Sequence, residues 1–139
     1  MVNVPVLLKK ISGMRHNLSR LREQQSFTIE AFKDNLDAQD IVLHNLRLAI
    51  QGAIDIGTHI ISDEGWGIPG SLNEIFYILQ DKGVLTSELT EKMVSAVGLR
   101  NILVHEYEKV NLDIVYDIFQ NHLADLEDFI LSIIKFFKL

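Results

Sequence analysis

The chain has 139 residues, 47% of them apolar and 23% charged, with a net charge of −6 and no cysteine. That length suits one domain with a real core and is short for two, and the composition is too apolar for a disordered chain. The missing cysteines exclude disulfides and thiolate metal sites, and the acidic balance argues against broad, nonspecific nucleic-acid binding.

The N-terminal MVNVPVLLKK lacks the long apolar core and cleavage site of a signal peptide. The C-terminal FILSIIKFFKL is interrupted by Lys135 and Lys138 and falls short of the ~18–20 residues that span a bilayer. A cytoplasmic protein with no membrane partner is expected, and a cysteine-free chain suits that compartment.

The first predicted helix runs from about Pro5 to Gln24. Residues 1–22 contain Lys9, Lys10, Arg15, Arg20 and Arg22 and no acid, which makes either a local basic stripe or an ordinary solvated face. The second runs from about Asp37 to Ser62, with Ala38, Val42, Leu46, Ala49, Ala53, Ile56 and Ile60 at i, i+3/i+4 spacing. It is also apolar elsewhere (Ile41, Leu43, Leu48, Ile50, Ile54, Ile61), so either neighbouring helices wrap it or a second copy covers the excess. The loop DEGWGIPG, Asp63 to Gly70, stops it with three glycines and a proline.

Ser71 and Glu74 form a capping box for a third helix reaching about Lys82, and Gly83 ends it. Thr86 or Ser87 caps the fourth, with Glu88 in its first turn. Asn111 caps the fifth, whose apolar stripe is Val115, Phe119, Leu123, Leu126, Ile130, Ile133 and Phe137. With no strand alternation, the expected fold is all-α: one domain over residues 1–139, an antiparallel bundle of about five helices, homodimeric.

The polar residues at the end of helix four, in GLRNILVHEY (Gly98–Tyr107), interrupt an otherwise apolar pattern. A zinc-peptidase helix would need a second His four residues after His105, and Lys109 stands there instead. Asp55 and His59 lie four apart and share a helix face, but a metal needs three or four ligands and no further partner has helical spacing. A hydrogen-bonded Asp55–His59 pair lining a cleft is expected instead. On a continuous helix Arg100 and His105 point about 140° apart. Either the helix ends between them, or one of them meets its counterpart from a second subunit. Asn101 and His105 can share a face. A simple helix end, with basic residues near the C-terminal dipole, explains the same residues without chemistry.

RNILVHEY resembles the R-x4-H-x-Y signature of the HepT toxins within the HEPN ribonuclease superfamily, on Arg100, Asn101, His105 and Tyr107. The likeness continues in LHNLRLAIQGAIDIGTHIIS, the GWGIP loop, SLNEIFYIL and GVL, and covers most of residues 37–115. The resemblance implies a dimeric helical endoribonuclease that works without metal or other cofactor. Arg100 and His105 would be catalytic, Asn101 the polar motif member, and Tyr107 the acceptor of AMP from an MNT-type nucleotidyltransferase antitoxin. The substrate would be RNA, with tRNA and mRNA both open. Asp55 and His59 are expected as supporting polar residues from their shared helix face alone, a role the motif does not assign. The chemistry suits these side chains, since RNA supplies its own 2′-hydroxyl nucleophile and an imidazole titrates near neutral pH. The competing function is a non-catalytic helical adaptor that serves a nucleotidyltransferase. A purely structural bundle is a third.

Overall fold

The computed structural model describes the backbone of residues 1–139 and every side chain except that of Tyr107. Among the described residues the chain forms seven α-helices and one short 3-10 turn, and no strand. The four long helices are α1 (Val4–Glu23), α3 (Leu36–Glu64), α5 (Ser87–His105) and α7 (Leu123–Phe137). The short ones are α2 (Ile29–Lys33), α4 (Leu72–Asp81) and α6 (Leu112–Asn121).

Helix α3 is the central element, flanked by α1 on one side and by α4 and α5 on the other. Leu7, Ile11, Met14, Leu18 and Leu21 form a buried row on α1 that packs along α3. The two helices run antiparallel, with Asn17 Nδ2 donating to Asn45 Oδ1 at one end and the amine of Met1 donating to the Asp63 carbonyl at the other. Leu43, Ile50, Ile54 and Ile61 are buried within the single chain, so most of the surplus apolar surface of α3 is covered by its own neighbours. Gly57 lets α4 lie close, since a Cβ there would collide with the Ile75 side chain.

The caps follow the chain's polar punctuation. The side-chain oxygens of Asn35, Ser71, Thr86 and Asn111 accept from backbone N–H groups in the first turns of α3, α4, α5 and α6. The Ser71 box closes one residue early: Glu74 accepts from the N–H of Gly70 rather than from that of Ser71. Gly65 ends α3 at φ 68, and Gly83 follows α4 at φ 82, both conformations that suit glycine.

Two departures bring the helix count from five to seven. A short α2 forms because Thr28 caps it and Phe32 is fully buried, stacking 5.2 Å from the ring of Phe119. The expected fifth helix is divided at His122 into α6 and α7. The stripe from Val115 through Ile133 is buried as expected, but the backbone does not run straight through it. Gln25 Nε2 donates to the Phe119 carbonyl at 2.8 Å, taking the acceptor that a continuing helix would offer to the N–H of Leu123. Gln120 returns the contact by donating to the Gln25 carbonyl.

Candidate active site

Helix α5 is opened by Thr86, which accepts from Leu89 N, and has Glu88 in its first turn. Leu89, Met93 and Val97 anchor it to the core, and Leu103 anchors its last turn. It runs without interruption from Ser87 to His105 and stops where Glu106 leaves helical geometry at φ −134, ψ 42. A 3-10 turn over Tyr107–Lys109 then leads to α6. The helix therefore does not end between Arg100 and His105, which removes one of the two arrangements open to the sequence. The two side chains leave one continuous helix about 140° apart.

Arg100 is half-buried against α3. Its Nε donates to Gln51 Oε1 at 3.0 Å, and its Nη1 donates to Asn101 Oδ1 at 3.1 Å. Gln51 Nε2 donates in turn to Asp55 Oδ1 at 2.9 Å. The direction of this chain is fixed by chemistry. A guanidinium only donates and a carboxylate only accepts, so the amide between them has a single compatible orientation. Two of the five guanidinium N–H donors are engaged among the described residues, and the other three remain for a ligand. A planar fork of this kind matches a phosphate.

Asp55 thus joins the motif through Gln51, a residue that sequence reasoning misses. Its signal is present: Gln51 stands one turn before Asp55, the same spacing that singles out His59 one turn after it. His59 does not belong to this group, and it does not pair with Asp55. Its Nε2 lies 3.1 Å from Asp63 Oδ2, buried and not aligned for a hydrogen bond. Asp63 also accepts from the backbone N–H of Asn3. His59 therefore sits with the N-terminal segment at the far end of α3, about 12 Å along the axis from Gln51.

His105 is exposed, on the outward face of α5 that it shares with Asn101. Beside them Ile102 and Val104 are 38% and 41% exposed. Tyr107's side chain lies outside the described residues. Among the described residues no group of three or more His, Asp or Glu is placed to hold a metal ion. A largely apolar cavity of about 300 Å³ lies elsewhere, against Leu46, Ile50, Met93, Leu99, Ile118 and Leu126, and none of Arg100, Asn101 and His105 lines it. Lys92 sits at its rim, with Asp125 and then Glu88 holding its ammonium above the usual lysine range. The polar chemistry, rather than the apolar cavity, marks the site.

The ribonuclease HepT-like family model matches residues 14–133. The chain belongs to this family. The HepT-like match extends beyond residues 37–115 into the second half of α1 and most of α7. An mRNA nuclease HepT from Shewanella oneidensis is 35% identical over 125 residues, covering 90% of this chain and 93% of the relative. A tRNA nuclease HepT from Aphanizomenon flos-aquae is 30% identical over 118 residues, covering 84% and 80%. Among solved structures, a tri-AMPylated Shewanella oneidensis HEPN toxin in complex with MNT antitoxin superposes with a TM-score of 0.84 at 36% identity, covering 92% and 96%. No described helix of this HepT-like chain is long and apolar enough to cross a membrane.

Proposed function

We propose that this protein is the toxin of an MNT/HEPN toxin–antitoxin pair: a metal-independent endoribonuclease, acting in the cytoplasm as a homodimer. The observation that carries the reading is the fixed guanidinium of Arg100 at one end of a continuous helix whose exposed last residue is His105. In the reaction, a histidine takes the proton of the RNA 2′-hydroxyl, whose oxygen bonds to phosphorus. The bond from phosphorus to the 5′-oxygen breaks, and a second histidine returns a proton to that oxygen. Arg100 neutralises the charge that builds on the phosphoryl oxygens. The products are a 2′,3′-cyclic phosphate and a 5′-hydroxyl.

One chain offers one motif histidine, pointing away from its own Arg100. Two copies meeting across the face of Asn101, Ile102 and His105 supply both histidines and cover the exposed apolar side chains. Asp55 acts through Gln51 as a support for Arg100. His59 has no part in the chemistry.

Regulation is assigned to Tyr107. An MNT-type nucleotidyltransferase transfers AMP to it: the phenol oxygen attacks the α-phosphorus of ATP, pyrophosphate leaves and the phenolic proton is lost. The adduct adds a nucleotide and a negative charge two residues from His105, where it opposes an incoming RNA phosphate. The AMPylated state of the Shewanella oneidensis toxin supports the assignment.

The test is cleavage of single-stranded RNA by purified protein in excess chelator, with the product ends identified. Cyclic or 3′-phosphate ends and retained activity support the reading. Activity that disappears with chelator and returns with magnesium refutes the metal-independent mechanism. For the regulation, Tyr107→Phe should remain toxic when co-expressed with the nucleotidyltransferase. Full neutralisation of that variant would move inhibition to occlusion.

A further inference from the structure

Helices α1 and α3 enclose a groove of about 530 Å³ whose lining includes His16, Asn17 and Arg20 from α1 and Asp40, His44 and Asn45 from α3. A second groove, about 300 Å³, is lined by Asp40, Leu43, His44, Arg47 and Leu103. Asp40 and His44 line both, so the two adjoin in one shallow channel along α3. It starts at the basic end of α1 and finishes against the last turn of α5, two residues before His105.

The channel combines apolar walls, Ile41, Leu48 and Leu43, with polar groups, and one of its two guanidinium groups is unengaged among the described residues. Its floor is fixed, since Asn17 donates to Asn45 and Asn45 Nδ2 donates to the Ile41 carbonyl at 2.8 Å. Arg20 shares its charge with Glu23, outside the channel. Arg47 is half-buried, and among the described residues it has neither an ion pair nor a hydrogen bond. A guanidinium with its stem covered and its fork unengaged is poised for an external partner. Asp40 is the one carboxylate in the lining. Arg47 stands one helical turn, about 6 Å, before Gln51, which holds Arg100. The channel therefore ends beside the motif, at Arg47 and Leu103, without including Arg100 or His105 in its lining.

We propose that this channel is the track for the single-stranded RNA flanking the cleaved bond. Its phosphates are held by Arg47 next to the motif and by Arg20 further out, with His44 and His16 between them. The inference rests on the ribonuclease reading for the substrate's identity. It adds a binding path on α1 and α3 that the motif itself does not contain. It also gives an acidic protein, net charge −6, a local pair of guanidinium groups, Arg20 and Arg47, with which to hold a phosphate backbone.

The test is binding of a fully 2′-O-methylated single-stranded RNA oligomer, which lacks the nucleophile, followed by fluorescence anisotropy across a salt series. For a single strand, removing the cation that neutralises one phosphate lowers the slope of log affinity against log salt by about 0.7. Arg47→Ala should weaken binding about tenfold at low salt and flatten the slope by that amount. Arg20→Ala should do the same more weakly, and Asp40→Asn should tighten binding. Folding of each variant is checked by circular dichroism and thermal melting. An unchanged slope for folded Arg47→Ala and Arg20→Ala, weaker binding by Asp40→Asn, or no binding by the wild type would each overturn the track. Because the probe cannot be cleaved, the track and the ribonuclease chemistry can fail separately; wild-type cleavage of unmodified RNA decides the latter.

Discussion

Helices α3 and α5 pack side by side and differ in how completely their apolar residues are covered. On α3, Leu43, Ile50, Ile54 and Ile61 beyond the main apolar stripe are buried within the chain, Ile41 and Leu48 are half-buried, Leu36 in the first turn is exposed, and the rest of the outward face is polar: His44, Gln51, Asp55, Thr58 and Ser62. On α5, Leu89, Met93 and Val97 are buried, but two turns later Ile102 and Val104 face outward beside Asn101 and His105. A stabilising helix resolves into an inner and an outer face. A helix that presents apolar side chains beside Asn101 and His105 on its outer face leaves that face uncovered by its own chain, and in the proposed function a second copy and a substrate cover it.

The largest effect that sharpens this contrast is on rate. His105→Ala should lower RNA cleavage by about 10²–10⁴-fold, the usual contribution of a general acid or base, and leave the melting temperature unchanged because the side chain is exposed. A normal rate in that variant would make α5 an ordinary helix end and favour the adaptor reading. The opposite outcome is expected in the core. Phe119→Ala should cost about 3–5 kcal/mol of stability by denaturant unfolding, since the ring is fully buried against Phe32 and Tyr116. A cost below ~1 kcal/mol would mean that the α2–α6 contact contributes little to the fold.

The contrast also explains what can be read in the sequence. Caps at Ser71, Thr86 and Asn111 are legible because a short polar side chain before an apolar run has one local role. The core stripes of α3 and of the α6–α7 segment are legible because periodicity reports burial. The break at His122 is not, because Phe119, Leu123 and Leu126 keep helical spacing across it and the competing donor, Gln25, is 94 residues away from Phe119 in sequence. Helix α2 escapes notice because five residues carry too little periodicity to register, and its anchor is the tertiary contact of Phe32. At the site, Arg100, Asn101 and His105 stand out as polar residues in an apolar context. Gln51 does not, since an amide on a polar face looks like any solvated residue until its partner on another helix is known. Asp55 and His59 are grouped by spacing alone. The structure separates them because each has a nearer partner, Gln51 for one and Asp63 for the other.

The outward face of α5 can be broken without touching the motif. Ile102→Asp places a charge where two copies are proposed to meet, and a desolvated, unpaired carboxylate there disfavours association. Sedimentation should move from dimer to folded monomer, and cleavage should fall in parallel because the second histidine is lost. A variant that stays dimeric and active would shift the interface to another surface and leave the exposure of Ile102 without that explanation.

The smallest expected effect concerns the support of Arg100 from α3. Gln51→Ala removes the acceptor for Arg100 Nε, while Asn101 still holds Nη1, so kcat/KM should fall about tenfold, the low end of the scale of one hydrogen bond to a charged group. Asp55→Asn is milder. The asparagine keeps the shape of the aspartate but offers both an oxygen and an N–H toward Gln51, so the amide of Gln51 is no longer held in one orientation. Part of the time its N–H would then face the Nε–H of Arg100, donor against donor. Asp55 is exposed, so water competes for its oxygen and the loss should be only about two- to threefold. The ranking matters more than either value. If Asp55→Asn is as damaging as Gln51→Ala, Asp55 contacts the RNA or the second subunit directly. If neither changes the rate, Arg100 is positioned by Asn101 and the substrate alone, and the α3 side of the site is scaffold only.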